Sequence, residues 1–239
     1  LFLGNNDAPA NYPANAYHFR QDSSFLYFFG IDEPGLAAVM DLDNGREIVF
    51  GNDVDIEDII WTGPVEMLNE KAFKAGVSET RPFTELSKFL SKAVEQKRKI
   101  HYLPPYRDDN KIFLNQQLGI PFGSLKEKAS VEFIKAVVDL RSLKELCEIE
   151  DIRNYMDVAY EIHTKAMKMA KDGLYEHKIA GAMEGLALSY NGSLSFPTIL
   201  SVRGEVLHGH SHENKMKNGD LLLVDAGAES PLHYATDHT

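Results

Sequence analysis

The segment from Ser130 to Lys171 contains neither glycine nor proline, and it divides the chain into two halves of different character. Within it, apolar residues and one histidine recur at steps of three and four, which predicts an amphipathic helix packed on a core. The recurring positions are Ile149, Ile152, Met156, Ala159, Ile162, His163, Ala166 and Ala170. We interpret His163 as a core residue rather than a ligand. We expect two domains, 1–139 and 140–239, with the boundary inside this helical region.

The first half alternates between short strand patterns and helix patterns, which predicts an α/β domain with a partly parallel sheet. Asn44-Gly45 between two apolar runs predicts a hairpin. No glycine-rich phosphate loop is present. The predicted helices are Val65–Lys74, Thr84–Gln96, Asp109–Leu118 and an acidic one from Asp53 to Trp61. The predicted extended segments are Glu79–Phe83, Lys99–Leu103, the strand at residues 1–5 and a core strand or turn at Phe25–Ile31, with a loop at Asn5–Ala16.

Charge and cysteine content exclude several classes of protein. The net charge of −11 argues against a nucleic-acid groove or an anionic membrane surface as the partner. The longest apolar run is far shorter than the ~20 residues that cross a bilayer. The single cysteine, Cys147, excludes an internal disulfide and fits a reducing compartment, so we expect a cytoplasmic protein and a buried, inert thiol. The chain starts at Leu1 and stops at Thr239, and both ends look cut.

The second half continues with a helix at Glu176–Tyr190 and strands at Pro197–Val202 and Glu205–Gly209. Three histidines follow at steps of two: His208, His210 and His212. Such a set can bind zinc, since neutral imidazole is a common metal ligand. We favour a polar surface loop for His210 and His212, whereas His208 follows two apolar residues and is expected at the end of the strand.

The last residues, Asn218–Thr239, predict a strand, a short turn and a return strand. With the turn centred on Pro231, Asp225 and Asp237 lie directly opposite each other, with Cβ atoms about 4.5–5.5 Å apart. Two carboxylates that close repel each other unless a proton or a cation lies between them. The spacing therefore leaves two interpretations open, a metal site and a pair of ordinary turn aspartates.

Several motifs resemble the metallopeptidases of the pita-bread fold, which include aminopeptidase P, prolidase, methionine aminopeptidase and the metal-free creatinase. In the second half these are the sequences Phe196-Pro-Thr-Ile, Val206-Leu-His208, Asn218-Gly-Asp220, Val224-Asp225-Ala-Gly and Ala235-Thr-Asp237-His-Thr239. In the first half, residues 20–34 and Trp61-Thr-Gly63 are similar to the N-terminal domain of aminopeptidase P. The resemblance implies a creatinase/prolidase-type α/β domain with a mixed sheet flanked by helices, followed by the first part of an α+β pita-bread catalytic domain.

The resemblance also implies a metal site and an activity. In that family two divalent ions, often manganese, are held by two aspartates, one histidine and two glutamates. Asp225 and Asp237 match the two aspartates, and His208 matches a substrate-facing histidine. The other ligands come later in the family's order. The implied cofactors are two manganese ions, with zinc or cobalt as alternatives, and carboxylates suit such ions.

The implied activity is release of the N-terminal residue from peptides with proline in second position, and the implied assembly is a homodimer. We expect the chain alone to be inactive, because its site is incomplete. The alternatives are an Xaa-Pro dipeptidase, a creatinase-type relative, and a non-catalytic histidine-rich metal-binding module. The chain departs from the family in three places. The spacing of Asp225 and Asp237 is one residue longer than usual, the loop before His208 is shorter, and His238 replaces an apolar residue.

Overall fold

A computed structural model describes residues 1–54, 60, 63–209 and 211–239. The expected helix at 53–61 falls largely outside these residues, as do Trp61 and His210. The chain forms two compact units, Leu1–Ser142 and Leu143–Thr239. The two units are separated by their internal contacts alone, which does not test whether each is a domain. The domain division at 139/140 therefore stays a prediction. In the described ranges no helix is both long enough and apolar enough to cross a membrane.

The first unit is built on a four-stranded mixed sheet in the order β1 (Phe2–Leu3), β4 (Ala37–Asp41), β5 (Arg46–Phe50) and β6 (Glu79–Arg81). The Asn44-Gly45 hairpin is confirmed, since β4 and β5 pair antiparallel on either side of it. β6 runs parallel to β5, as the alternating pattern predicted. A separate exposed hairpin consists of β2 (Pro9–Tyr12) and β3 (Asn15–Ala16).

Helices flank this sheet and supply much of its core. They are α1 (Ser23–Phe29), α2 (Leu68–Lys74), α3 (Thr84–Glu95), α4 (Asp108–Leu118) and α5 (Val131–Ser142), with a 3₁₀ turn at Phe122–Ser124. One apolar cluster joins Ile48 and Phe50 to Leu86 and Leu114. A second cluster joins Phe25 of α1 to Ala38 and Val49, whose side chains lie on the opposite face of the sheet. Because successive strand side chains point to opposite faces, both faces of the sheet are covered.

Three predictions for this unit are wrong. Phe25–Ile31 was expected as a strand or turn, but α1 forms there because Asp22 accepts hydrogen bonds from two amides of the first turn and Gly30 ends the helix in a left-handed conformation. Lys99–Leu103 is not assigned as a strand. The expected loop at Asn5–Ala16 contains the short hairpin β2–β3, with a register shift between its two pairs.

The second unit begins with two long helices, α6 (Leu146–Met169) and α7 (Glu176–Ser189), and α7 is close to its predicted bounds. The helical segment from Ser130 to Lys171 is divided into α5 and α6, because residues 143–145 are not helical. The buried face of α6 carries Val158, Ile162 and Ala166, which pack with Ile179 and Met183 of α7. Cys147 is exposed, so the prediction of a buried thiol is wrong. It lies in the first turn of α6, where the next residue, rather than the cysteine, faces inward.

Short antiparallel strand pairs complete the second unit. β8 (Ile199–Ser201) pairs with β9 (Leu223–Asp225), and β7 (Ser193–Leu194) pairs with β10 (Ala228–Glu229). Leu200 and Ala228 are fully buried against the helices. The predicted strand at Glu205–Gly209 is wrong, since the residues from Gly204 to His208 form turns and a bend.

Candidate functional site

The two aspartates lie on neighbouring strand segments at the end of the second unit. Ala226 and His238 form an antiparallel bridge, and Glu229 pairs with Ala235 in the same register. This register centres the turn on Leu232 rather than Pro231, so Asp225 is opposite Thr239 and not opposite Asp237. The prediction of direct opposition is therefore wrong. The shift is two residues, so both aspartates stay on one face as diagonal neighbours, about 7–8 Å apart between backbones.

Gly227 allows the two segments to approach closely. A Cβ atom at this position would lie 1.8 Å from the carbonyl oxygen of Thr236 and 2.9 Å from Oγ of Ser195. Ser195 Oγ donates a hydrogen bond to the same carbonyl at 2.7 Å, and the amide of Ser195 donates to the carbonyl of Gly227 at 3.2 Å. A side chain at this position would displace the segment that carries Asp237.

Asp225 carries an unsatisfied polar atom. Its Oδ1 is buried and has no hydrogen-bond partner among the described residues, and the same holds for Nδ1 of His238. A buried carboxylate oxygen without a donor is costly, and a cation relieves that cost. Asp237 is exposed. A buried, unpartnered oxygen beside an accessible carboxylate on the same face fits the donor set of a hard divalent ion.

His163 connects α6 to these strand segments. Its Nε2 lies 3.1 Å from the carbonyl oxygen of Ala226, and its ring centroid lies 5.8 Å from that of His238. A cavity of about 360 Å³ adjoins this contact and is lined by His163, Met167, Val224 and Thr239 among others. The helical period predicts that His163 faces inward. It does not predict that the ring contacts the backbone of Ala226, the residue after Asp225.

His208 lies in an exposed turn rather than at the end of a strand. His212 is half-buried, and its Nδ1 lies 3.0 Å from the carbonyl oxygen of Leu200 on β8. His212 therefore packs against the strand and differs from the expected surface-loop residue. Among the described residues, no group of three or more histidine, cysteine, aspartate or glutamate side chains is close enough to hold a metal ion.

A buried polar network, which the sequence did not suggest, holds the turn between the strand segments that carry Asp225 and Asp237. Ser230 Oγ donates to Asp151 at 2.5 Å, and Tyr234 donates to Glu148 on the same helix. His233, which has a φ of 65°, pairs with Glu229 at 2.9 Å. The network ties the turn to the first half of α6 and so fixes the register of the aspartates.

Two family models match the chain. Residues 1–102 match the aminopeptidase P N-terminal domain, and residues 150–239 match metallopeptidase family M24. Xaa-Pro aminopeptidase of Escherichia coli (strain K12) is 25% identical over 224 residues, which cover 89% of this chain and 51% of the relative. Xaa-Pro dipeptidase of Homo sapiens is 26% identical over 230 residues, which cover 88% and 44%. The chain thus spans about half the length of the curated relatives it matches.

The fold is shared with solved structures of aminopeptidase P. A zinc-substituted Escherichia coli aminopeptidase P in complex with product superposes with a TM-score of 0.78 at 23% identity. The match covers 99% of this chain and 56% of that one. The predicted fold class is therefore confirmed: the architecture is an N-terminal domain with a mixed sheet flanked by helices, and part of a pita-bread catalytic domain.

Proposed function

Since this chain joins an aminopeptidase P N-terminal domain to part of a metallopeptidase family M24 domain, we propose that it belongs to a metal-dependent peptidase acting on Xaa-Pro peptides. The preferred reaction is release of the N-terminal residue from a peptide with proline in second position. The relatives that this chain matches include both an Xaa-Pro aminopeptidase and an Xaa-Pro dipeptidase. They support the substrate class and leave peptide length as the property to be tested.

The observation that carries the proposal is the buried, unpartnered Oδ1 of Asp225 on the face it shares with Asp237. A pair of surface turn aspartates would direct its oxygens to water or to backbone amides. Here one oxygen is withdrawn from water and finds no donor among the described residues. A carboxylate that binds a cation has such an unpaired oxygen when the cation is absent.

We propose the following roles for residues of this chain. Asp225 and Asp237 would be the carboxylates of this chain that hold a pair of divalent ions. When bound, such a pair supplies a nucleophile at neutral pH and polarises the scissile carbonyl. His208, from its exposed turn, would donate a hydrogen bond to the substrate and orient it.

We propose manganese as the resident metal, with zinc or cobalt as substitutes. Carboxylate oxygens suit manganese, and membership of M24 supports divalent ions in general. Two carboxylates leave most coordination positions to other groups. We therefore propose that one histidine and two glutamates beyond Thr239 complete the site and that this chain alone is inactive. A cytoplasmic location and a homodimeric assembly complete the proposal.

The test is a manganese-dependent peptidase assay on the protein in its full length and on the 239-residue chain. An Xaa-Pro-Xaa tripeptide and an Xaa-Pro dipeptide are compared as substrates. Faster release from the tripeptide supports the aminopeptidase, and faster cleavage of the dipeptide supports the prolidase alternative. Activity on neither substrate, with metal bound through His212 instead of the aspartates, would support the non-catalytic metal-binding module.

A further inference from the structure

Glu176 is a fully buried acidic residue in the second unit, with 0% of its surface exposed. It is the first residue of α7, where the helix dipole favours a negative charge. A buried carboxylate is costly unless several donors satisfy it. Its partners therefore show what this residue is used for.

Among the residues that the structure describes, every hydrogen-bond partner of the Glu176 carboxylate is an N–H group. The amide of Val202 donates to Oε1 at 2.7 Å, and the amide of Asn214 donates to Oε2 at 3.2 Å. The side-chain amide of Asn214 donates to both oxygens, at 3.2 and 3.0 Å. One side chain thus binds two backbone positions that are twelve residues apart in sequence.

Val202 and Asn214 flank the segment that carries His208. We call residues 203–209 and 211–213 the histidine segment. None of these residues is assigned to a strand or helix, so few bonds of regular structure hold the segment in place. Its far end is anchored again at the start of α7, where the amides of Glu176 and His177 donate to the carbonyls of Asn214 and His212, both at 3.0 Å.

We propose that Glu176 is a positioning residue that clamps both ends of the histidine segment and thereby places His208 for catalysis. The inference rests on the proposed function and adds a residue that does not touch the substrate. A displacement of about 1 Å in a catalytic group can lower a rate by about 100-fold. A clamp on both ends of a turn-rich segment limits such displacement, and an anchor at one end does not.

The substitution Glu176→Gln tests the clamp with almost no change in shape. Glutamine keeps one acceptor oxygen and replaces the other with a donor, which faces the amide donors of Val202 or Asn214. The matched control is Glu148→Gln. Glu148 is also a buried glutamate in the first turn of a long helix, and it accepts hydrogen bonds from Tyr234 and from the amide of Glu145.

The decisive measurement is a double-mutant cycle with His208→Ala in the full-length protein, assayed on an Xaa-Pro-Xaa tripeptide with manganese. We expect Glu176→Gln to lower kcat by about 10- to 100-fold with KM and manganese affinity changed less than about twofold. In the His208→Ala background the same substitution should change kcat by less than about twofold, whereas Glu148→Gln should have equal effects in both backgrounds. Equal effects of Glu176→Gln in both backgrounds would overturn the positioning role.

A second measurement does not depend on activity. Hydrogen exchange of the 239-residue chain should show amides of the histidine segment exchanging at least about 10-fold faster in Glu176→Gln, with α6 unchanged. Unchanged exchange in the segment would overturn the clamp. If Glu176→Gln does not fold, Asn214→Ala removes the two side-chain bonds and is measured in the same two ways. Loss of Xaa-Pro activity in the wild-type protein would refute the proposed function, and the exchange result would still decide whether Glu176 holds the segment.

Discussion

Ala226 and His238 exchange both backbone hydrogen bonds across the closing strand segments, at 3.0 and 3.3 Å. This one pair sets the register of the segments. It places the residue before Ala226 and the residue before His238, which are the two aspartates, on a common face as diagonal neighbours. The diagonal leaves more room between the carboxylates than direct opposition would, and a cation needs that room.

The aspartates, and not the histidines, should control metal binding in the full-length protein. Asp225→Asn and Asp237→Asn each remove a charged oxygen donor, so we expect manganese affinity to fall by at least about 100-fold, since even residues behind metal ligands contribute about 10–100-fold. Isothermal titration with manganese measures the effect. His212→Ala is the matched control and should change the affinity little. A larger loss in His212→Ala than in the aspartate variants would refute the assignment.

Glycine at position 227 should be essential for the stability of the second unit. In Gly227→Ala the new methyl group meets the carbonyl oxygen of Thr236 at 1.8 Å, so the strand segments must separate. Overpacking of this kind destabilises by about 1–3 kcal/mol or more. Urea unfolding followed by circular dichroism measures the change.

Gly185 provides the control for that substitution. It lies exposed in α7, and a Cβ atom at this position would meet nothing within 4 Å. Gly185→Ala should therefore stabilise the protein, by about 0.8–1 kcal/mol from helix propensity alone. If both substitutions change the free energy of unfolding in the same direction, the close approach at Gly227 does not limit stability.

How far the sequence predicts this structure depends on whether the signal is local. The Asn44-Gly45 hairpin and helices α6 and α7 were predicted correctly, because turn chemistry and a regular apolar period lie within each segment. Helix α1 was missed although its capping residues, Asp22 and Gly30, are readable in the sequence. The run of aromatic residues favours a buried strand, whereas the caps favour a helix.

The geometry of the candidate site could not be predicted from the sequence, and the metal-binding roles of Asp225 and Asp237 stay a prediction. Spacing predicts that both aspartates lie on one face, as they do, but the register depends on a turn that is tied to α6 through Ser230 and Tyr234. The conformation around His208 depends on Glu176, which is 32 residues away in sequence. Bonds between distant segments leave no periodic pattern, so sequence reasoning could not find them.

His163 should support the strand segment that carries the aspartates. His163→Phe keeps an aromatic ring at the position but removes the nitrogen that lies 3.1 Å from the Ala226 carbonyl. We expect a loss of about 1 kcal/mol in the free energy of unfolding, as for one hydrogen bond, while the Ala226 carbonyl keeps its bond from the His238 amide. Thermal unfolding measures it. The control is His177→Phe, which removes a ring nitrogen 3.2 Å from the His212 carbonyl at an exposed position. Water can replace that exposed bond, so the control should cost less. Equal losses would mean that the contact with Ala226 contributes nothing specific.

The stability of the first unit should depend on pH in the acid range through Asp41 and Arg98. The side chain of Asp41 is only 4% exposed and accepts two hydrogen bonds from Arg98. These bonds lower the pKa of Asp41 from 3.8 to about 2. A carboxyl whose pKa is lower in the folded state stabilises fully above its unfolded pKa and loses that contribution as pH falls through the folded pKa. The loss should therefore occur between about pH 4 and pH 2.

Asp41→Asn should remove this part of the pH dependence. The amide cannot pair with the guanidinium as a charge, so the variant should be less stable than the wild type at pH 6 and should approach it in stability near pH 2. Urea unfolding followed by circular dichroism at both pH values measures the effect. Asp108→Asn is the matched control, because Asp108 pairs with Lys111 while 88% exposed, and exposed pairs contribute little. If the difference between Asp41→Asn and the wild type is the same at pH 6 and at pH 2, the carboxylate does not stabilise the unit through its charge.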